Sequence, residues 1–87
     1  MQMEITVKLY LALKKYLPEE ADGEEVIQFF QEKATLGDLL KVINIPPESI
    51  MVAYVNSEGI IEKGEMFSKE LQDGDTVEMF GSIMTGG

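Results

Sequence analysis

The sequence predicts an α+β domain of two layers. Three observations predict it. An alternating apolar pattern opens the chain, one amphipathic helix pattern sits in the middle, and a turn-bounded alternating strand comes near the end. With 87 residues there is room for one small domain and a modest core, with little space for a deep, walled active site.

In the first strand, Ile5, Val7, Leu9 and Leu11 alternate with Thr6, Lys8 and Tyr10, so one face is buried. Leu13, Tyr16 and Leu17 then fall at helical spacing, which predicts a short helical turn over Ala12 to Leu17, ended by Pro18. Residues 19–25 hold five carboxylates around Gly23 and read as a solvated loop; the spacing is not that of a calcium loop. Val26 to Phe30 reads as a second strand paired with the first.

Leu36, Leu39, Leu40 and Ile43 mark one face of the clearest helix. Thr35 suits its N-cap, and Asp38 suits the positive end of the helix dipole. Pro46-Pro47 closes the helical region. Ile50 to Asn56 is a third strand, Ser57-Glu58-Gly59 a turn, and Ile60-Ile61-Glu62 a very short strand. Asp73-Gly74-Asp75 is a tight turn. Beyond it Val77 and Met79 share one face of a strand, and Thr76, Glu78 and Phe80 the other. Residues 81–87, with three glycines and no periodicity, read as a flexible tail on a domain of residues 1–80. If the first and last strands lie side by side in the centre, the fold is a β-grasp.

Composition narrows the function. Hydrophobic residues make up 45% and charged residues 26%, as in folded proteins. Seven Lys+Arg against 16 Asp+Glu give a net charge of -9. That disfavours nucleic acid and anionic membranes as partners and favours a protein with a basic docking surface. Without cysteine or histidine, no disulfide, metal cluster, thiol nucleophile or imidazole base is expected. No signal peptide or membrane-spanning stretch is visible, and a cytoplasmic location is expected. The one distinctive chemical group is the main-chain carboxylate of Gly87. Gly86-Gly87 carries no Cβ and can thread a narrow channel. Activated as an acyl-adenylate by another enzyme, that carboxylate becomes an electrophile for sulfur or an amine.

Five segments carry a family resemblance: Leu9 to Leu17 (LYLALKKYL), Thr35 to Ile43 (TLGDLLKVI), Ala53 to Asn56 (AYVN), Asp73 to Phe80 (DGDTVEMF) and Thr85-Gly86-Gly87. In this order they resemble the ubiquitin-like sulfur-carrier family of molybdopterin and thiamin biosynthesis (MoaD- and ThiS-like proteins). The helical turn after the first strand resembles the branch that forms the small subunit of molybdopterin synthase.

The resemblance implies a β-grasp, ubiquitin-like fold with a mixed sheet, one main helix and a Gly-Gly tail. It implies that an E1-like adenylyltransferase activates Gly87 with ATP and that a sulfur donor enzyme converts it to a thiocarboxylate. The tail, with Met84, Thr85 and Gly86, would then enter the molybdopterin synthase large subunit, in a heterotetramer, and pass sulfur to the pterin precursor to form the dithiolene. The chain would be a carrier and reagent without catalytic side chains, bound cofactor or metal. One departure stands out: Gly81-Ser82-Ile83-Met84 occupies the place where the family often has proline. Sulfur transfer to thiamin thiazole synthesis, conjugation as a protein modifier, and a plain ubiquitin-like binding module with an inert tail are the alternatives.

Docking candidates follow from the strand alternation. Phe80 either meets a partner at the tail root or closes the end of the core, and Ile60, Ile61 and Ile83 could join it. Lys14 and Lys15 read as a solvated face.

Overall fold

A computed structural model describes residues 2–19, 21, 23–60 and 63–81. Five strands form the main sheet: β1 (Met3–Tyr10), β2 (Glu25–Phe30), β4 (Val52–Val55), β5 (Glu58–Ile60) and β7 (Thr76–Phe80). Their order is β2-β1-β7-β4-β5. β1 and β7 run parallel in the centre, and the other pairs are antiparallel. This is the β-grasp arrangement. A two-stranded ribbon, β3 (Ala34–Thr35) with β6 (Glu70–Leu71), flanks it. The helices are α1 (Leu36–Ile43) and α2 (Lys63–Ser68).

Alternation decides which face is dry. Ile5, Val7 and Leu9 of β1, Ala53 and Val55 of β4, and Val77 and Met79 of β7 are all buried against Leu36, Leu39 and Leu40 of α1 and their neighbours. The α1 N-terminus is a capping box. The Asp38 N–H donates to Thr35 Oγ1 at 3.2 Å, and the Thr35 N–H donates to Asp38 Oδ2 at 2.9 Å. Asn44, left-handed at φ 66°, ends the helix before Pro46. α2 packs closely on α1 at Gly37, where a Cβ would lie 2.9 Å from the Phe67 carbonyl oxygen.

Several expectations need correction. β1 stops at Tyr10. Leu11 takes φ 58°, leaves the strand alternation and is 42% exposed, because the chain turns there into the 3-10 segment Leu11–Tyr16. The turn after β4 is Asn56-Ser57, at φ 52° and 72°, one residue earlier than expected. Two successive positive φ values match the right-handed twist of a two-residue hairpin, so Glu58 and Gly59 belong to β5. β4 is shorter than Ile50–Asn56, with Ile50 buried ahead of it. The sequence reading lacked α2 and the β3–β6 ribbon altogether.

Candidate functional site

The C-terminal half of β7 delivers the chain to the candidate site. Gly81 is the last described residue, and it is buried. Its N–H donates to the Tyr10 carbonyl at 3.3 Å, extending the parallel β1–β7 pairing by one bond. A Cβ here would meet Leu13 Cγ at 3.0 Å, Leu13 N at 3.1 Å and the Ala12 Cβ at 3.2 Å. The 3-10 segment therefore presses directly on the tail root, and glycine is the residue that fits. The left-handed Leu11 makes this contact possible by folding the chain back at the end of β1.

The uncovered face of the sheet carries an aromatic row beside that root. Tyr10 and Phe80 are register partners on β1 and β7. Their rings stack with centroids 4.5 Å apart. Tyr54 of β4 meets Phe80 edge-on at 5.9 Å. Such pairs are worth roughly 0.5–1.5 kcal/mol beyond the area they bury. The Tyr10 hydroxyl donates to Glu78 Oε2 at 3.0 Å. Partial burial, that hydrogen bond and the Glu78 charge together push the Tyr10 phenol above its ordinary pKa. Met51 is 70% exposed beside the row, with its N–H donating to the Phe80 carbonyl at 2.8 Å. The result is a half-buried aromatic floor of Tyr10, Phe80 and Tyr54 next to the point where the chain leaves β7.

The opposite end of β7 is closed by hydrogen bonds. Asn56 Nδ2 donates to Asp75 Oδ1 at 2.8 Å, and Asn56 Oδ1 accepts from the Thr76 N–H at 2.9 Å. Asp73 Oδ1 accepts from the Glu4 N–H at 2.8 Å, and Asp75 Oδ2 from the Gln72 N–H at 2.8 Å. These carboxylates hold backbone in place.

No conventional active site accompanies the tail root among the described residues. Among the described residues no group of three acidic side chains could hold a metal, and no buried polar side-chain atom lacks a partner. A concavity of about 550 Å³ lies between α1 and the segment at Pro46-Pro47. Its one carboxylate, Asp38, is committed to the α1 cap, which holds it below the usual carboxylate range. Lys14 reaches Glu24 at 3.7 Å, a solvent-exposed pair of little energetic weight. No helix among the described residues is long and apolar enough to cross a membrane.

Of the residues singled out from the sequence, Phe80 lies half-buried on the uncovered face. Ile60 pairs with Ala53 on the edge strand β5, two strands from Phe80. Ile61, Ile83, Met84, Thr85, Gly86 and Gly87 lie outside the described residues. Sequence reasoning missed Tyr10, Leu11, Met51 and Tyr54. Tyr10 shares its face with Thr6 and Lys8 by alternation, so its exposure was legible, but its partner on β7 depended on the strand register.

The model of the ThiS family matches residues 17–87. No curated protein matches the chain. Among solved structures, the chain is similar to the solution structure of the Haloferax volcanii HVO 2177 protein, with a TM-score of 0.61 and 18% identity. The match covers 99% of this chain and 88% of that one. At that identity the likeness speaks for the fold.

Proposed function

The chain belongs to the ThiS family of ubiquitin-like sulfur carriers, and from that premise we propose that it carries sulfur on the Gly87 carboxylate for molybdopterin synthesis. An E1-like enzyme joins the carboxylate to AMP from ATP and releases pyrophosphate. Hydrosulfide released by a donor enzyme then adds to the acyl carbon, AMP leaves, and a thiocarboxylate results. The carrier contributes the electrophilic carbon and its delivery, and its partners supply the catalytic side chains.

The observation that carries this reading is that the family match runs through Gly86-Gly87, six residues beyond a root held at Gly81. The geometry supports a division of labour in which the aromatic floor of Tyr10, Phe80 and Tyr54 docks on the partner while the tail reaches its active site. The 3-10 segment Leu11–Tyr16 supports the molybdopterin branch. There the large subunit of molybdopterin synthase accepts the tail, and sulfur passes to the pterin precursor.

Mass spectrometry tests the chemistry. After incubation with the activating enzyme, ATP and a sulfur donor, the chain gains the mass of one oxygen-to-sulfur exchange at Gly87. An unchanged mass refutes the reading. The acceptor is tested by offering the charged chain to molybdopterin synthase large subunit with pterin precursor, and separately to thiazole synthase. The family match is equally compatible with a second reading, a thiamin carrier, and sulfur consumption only in the thiazole reaction would establish it.

A further inference from the structure

A second apolar surface lies away from the tail root, along β2. Ile27 and Phe29 are 44% and 48% exposed on this strand, and Val42 is 50% exposed on the neighbouring face of α1. β2 is an edge of the sheet. The Leu9 N–H donates to the Glu24 carbonyl at 3.0 Å, and the antiparallel register runs from Lys8↔Glu25 to Met3↔Phe30. Bonded pairs alternate along such a ladder. Val26, Gln28 and Phe30 therefore turn their backbone groups to β1, whereas Glu25, Ile27 and Phe29 turn theirs outward. Among the described residues no strand takes up those outward groups. Natural edges are blunted by lysine, proline, a bulge or a covering element, and the β2 sequence EVIQFF holds neither lysine nor proline. Beside the edge runs a groove of about 310 Å³, floored by Tyr16, Val26, Val42 and Ile43.

We propose that this edge and groove bind an extended, apolar segment of a partner protein that carries basic residues at one end. The outward N–H and C=O groups specify a strand. Its alternate side chains would enter the groove over Val26 and Val42, and the others would lie beside Ile27 and Phe29 on the open face. The basic end follows from charge. Residues 19–25 carry five carboxylates and no base in the sequence, Lys14 reaches Glu24 at 3.7 Å and Lys8 stands opposite Glu25 in the register, and the chain carries a net charge of -9. A second copy fits poorly. Antiparallel pairing of two β2 strands about Ile27 sets each Glu24-Glu25 against Phe29-Phe30 of the other, with no base opposite, and brings two strongly acidic chains together. The surface is separate from the tail root, so a partner held here leaves the tail free, and the inference stands whatever the tail carries.

The test uses the full chain, isotope-labelled for NMR, and a synthetic peptide, Lys-Lys-Val-Thr-Val-Ile-Val, titrated beside its Glu-Glu counterpart. The basic peptide shifts the Glu25, Ile27 and Phe29 amides saturably and slows their hydrogen exchange. It binds about tenfold or more tighter than the acidic one, a difference that shrinks with salt. I27K and V42K, both at exposed positions and checked for an unchanged fold, each weaken it about tenfold. Shifts centred on Tyr10 and Phe80 overturn the proposal, as do equal affinities for the two peptides and a titration that fails to saturate. Sedimentation showing a dimer through β2 overturns it in favour of a second copy.

Discussion

Met79 and Phe80 are consecutive in β7 and face opposite ways. Met79 has no exposed surface and packs under α1, whereas Phe80 is half-buried between Tyr10 and Tyr54 on a face no helix covers. The difference runs the length of the sheet. On the three central strands the covered face is wholly apolar, while the bare face mixes Thr6, Lys8, Thr76 and Glu78 with its aromatic row. On the proposed reading the two faces divide the work: one secures the fold, and the other, together with the chain that leaves it, meets partners. A small domain has area for both because a central strand carries one set of side chains on each side.

The sharpest way to separate the two is to remove Gly86 and Gly87. Sulfur loading falls to background, and the thermal unfolding midpoint is unchanged. Loading that survives the deletion breaks the assignment of function to the tail. Next comes the adjacent pair. Met79→Ala leaves a void in the core and lowers unfolding free energy by about 2–5 kcal/mol in urea titrations. Phe80→Ala costs less stability, about 1–2 kcal/mol from its two ring contacts. It weakens binding to the activating enzyme by about tenfold or more, read by calorimetry. If both variants lose stability equally and bind equally well, the bare face is merely a second core.

Gly81→Ala probes the point where the faces meet. The added methyl presses on Leu13, whose backbone nitrogen would be 3.1 Å away, and on Ala12. The expected loss is about 1–3 kcal/mol by denaturant unfolding. Because Leu13 Cγ is one of the colliding atoms, the loss in Gly81→Ala/Leu13→Ala is smaller than the sum of the two single losses. Strict additivity removes the contact as the reason for glycine.

How much of this was legible in sequence follows from range. The strand alternation, the Thr35–Asp38 cap and the facing of Val77, Met79 and Phe80 rest on neighbours within a few residues, and each stands in the structure. The end of β1 does not. Leucine at φ 58° is contrary to local preference, and only the packing of Leu13 beneath the tail root accounts for the turn there. α2 is six residues long, with Met66 buried, and is too short for periodicity to register. The aromatic row required the parallel register of β1 on β7, a pairing between residues seventy apart. Asn56 was read only as part of a strand, yet its amide bridges to the turn before β7.

The smallest effect sharpens the bare face alone. The Tyr10 hydroxyl donates to Glu78, and its phenol is held above the ordinary value of about 10 by partial burial first and by that carboxylate second. A raised pKa means that the folded chain keeps the proton more tightly than the unfolded chain. The contribution to stability is therefore complete below about pH 10 and is lost as pH climbs through the raised value. Tyr10→Phe keeps the ring over Phe80 and removes the titration. Urea unfolding from about pH 8 upward should show the wild-type advantage over this variant constant at first and shrinking above about pH 10. Absorbance titration of the tyrosinate band should show a late component from Tyr10 in the wild type that the variant lacks. An advantage that grows with pH would mean that Glu78 does not hold the phenol, and that Tyr10 contributes to the aromatic floor through its ring alone.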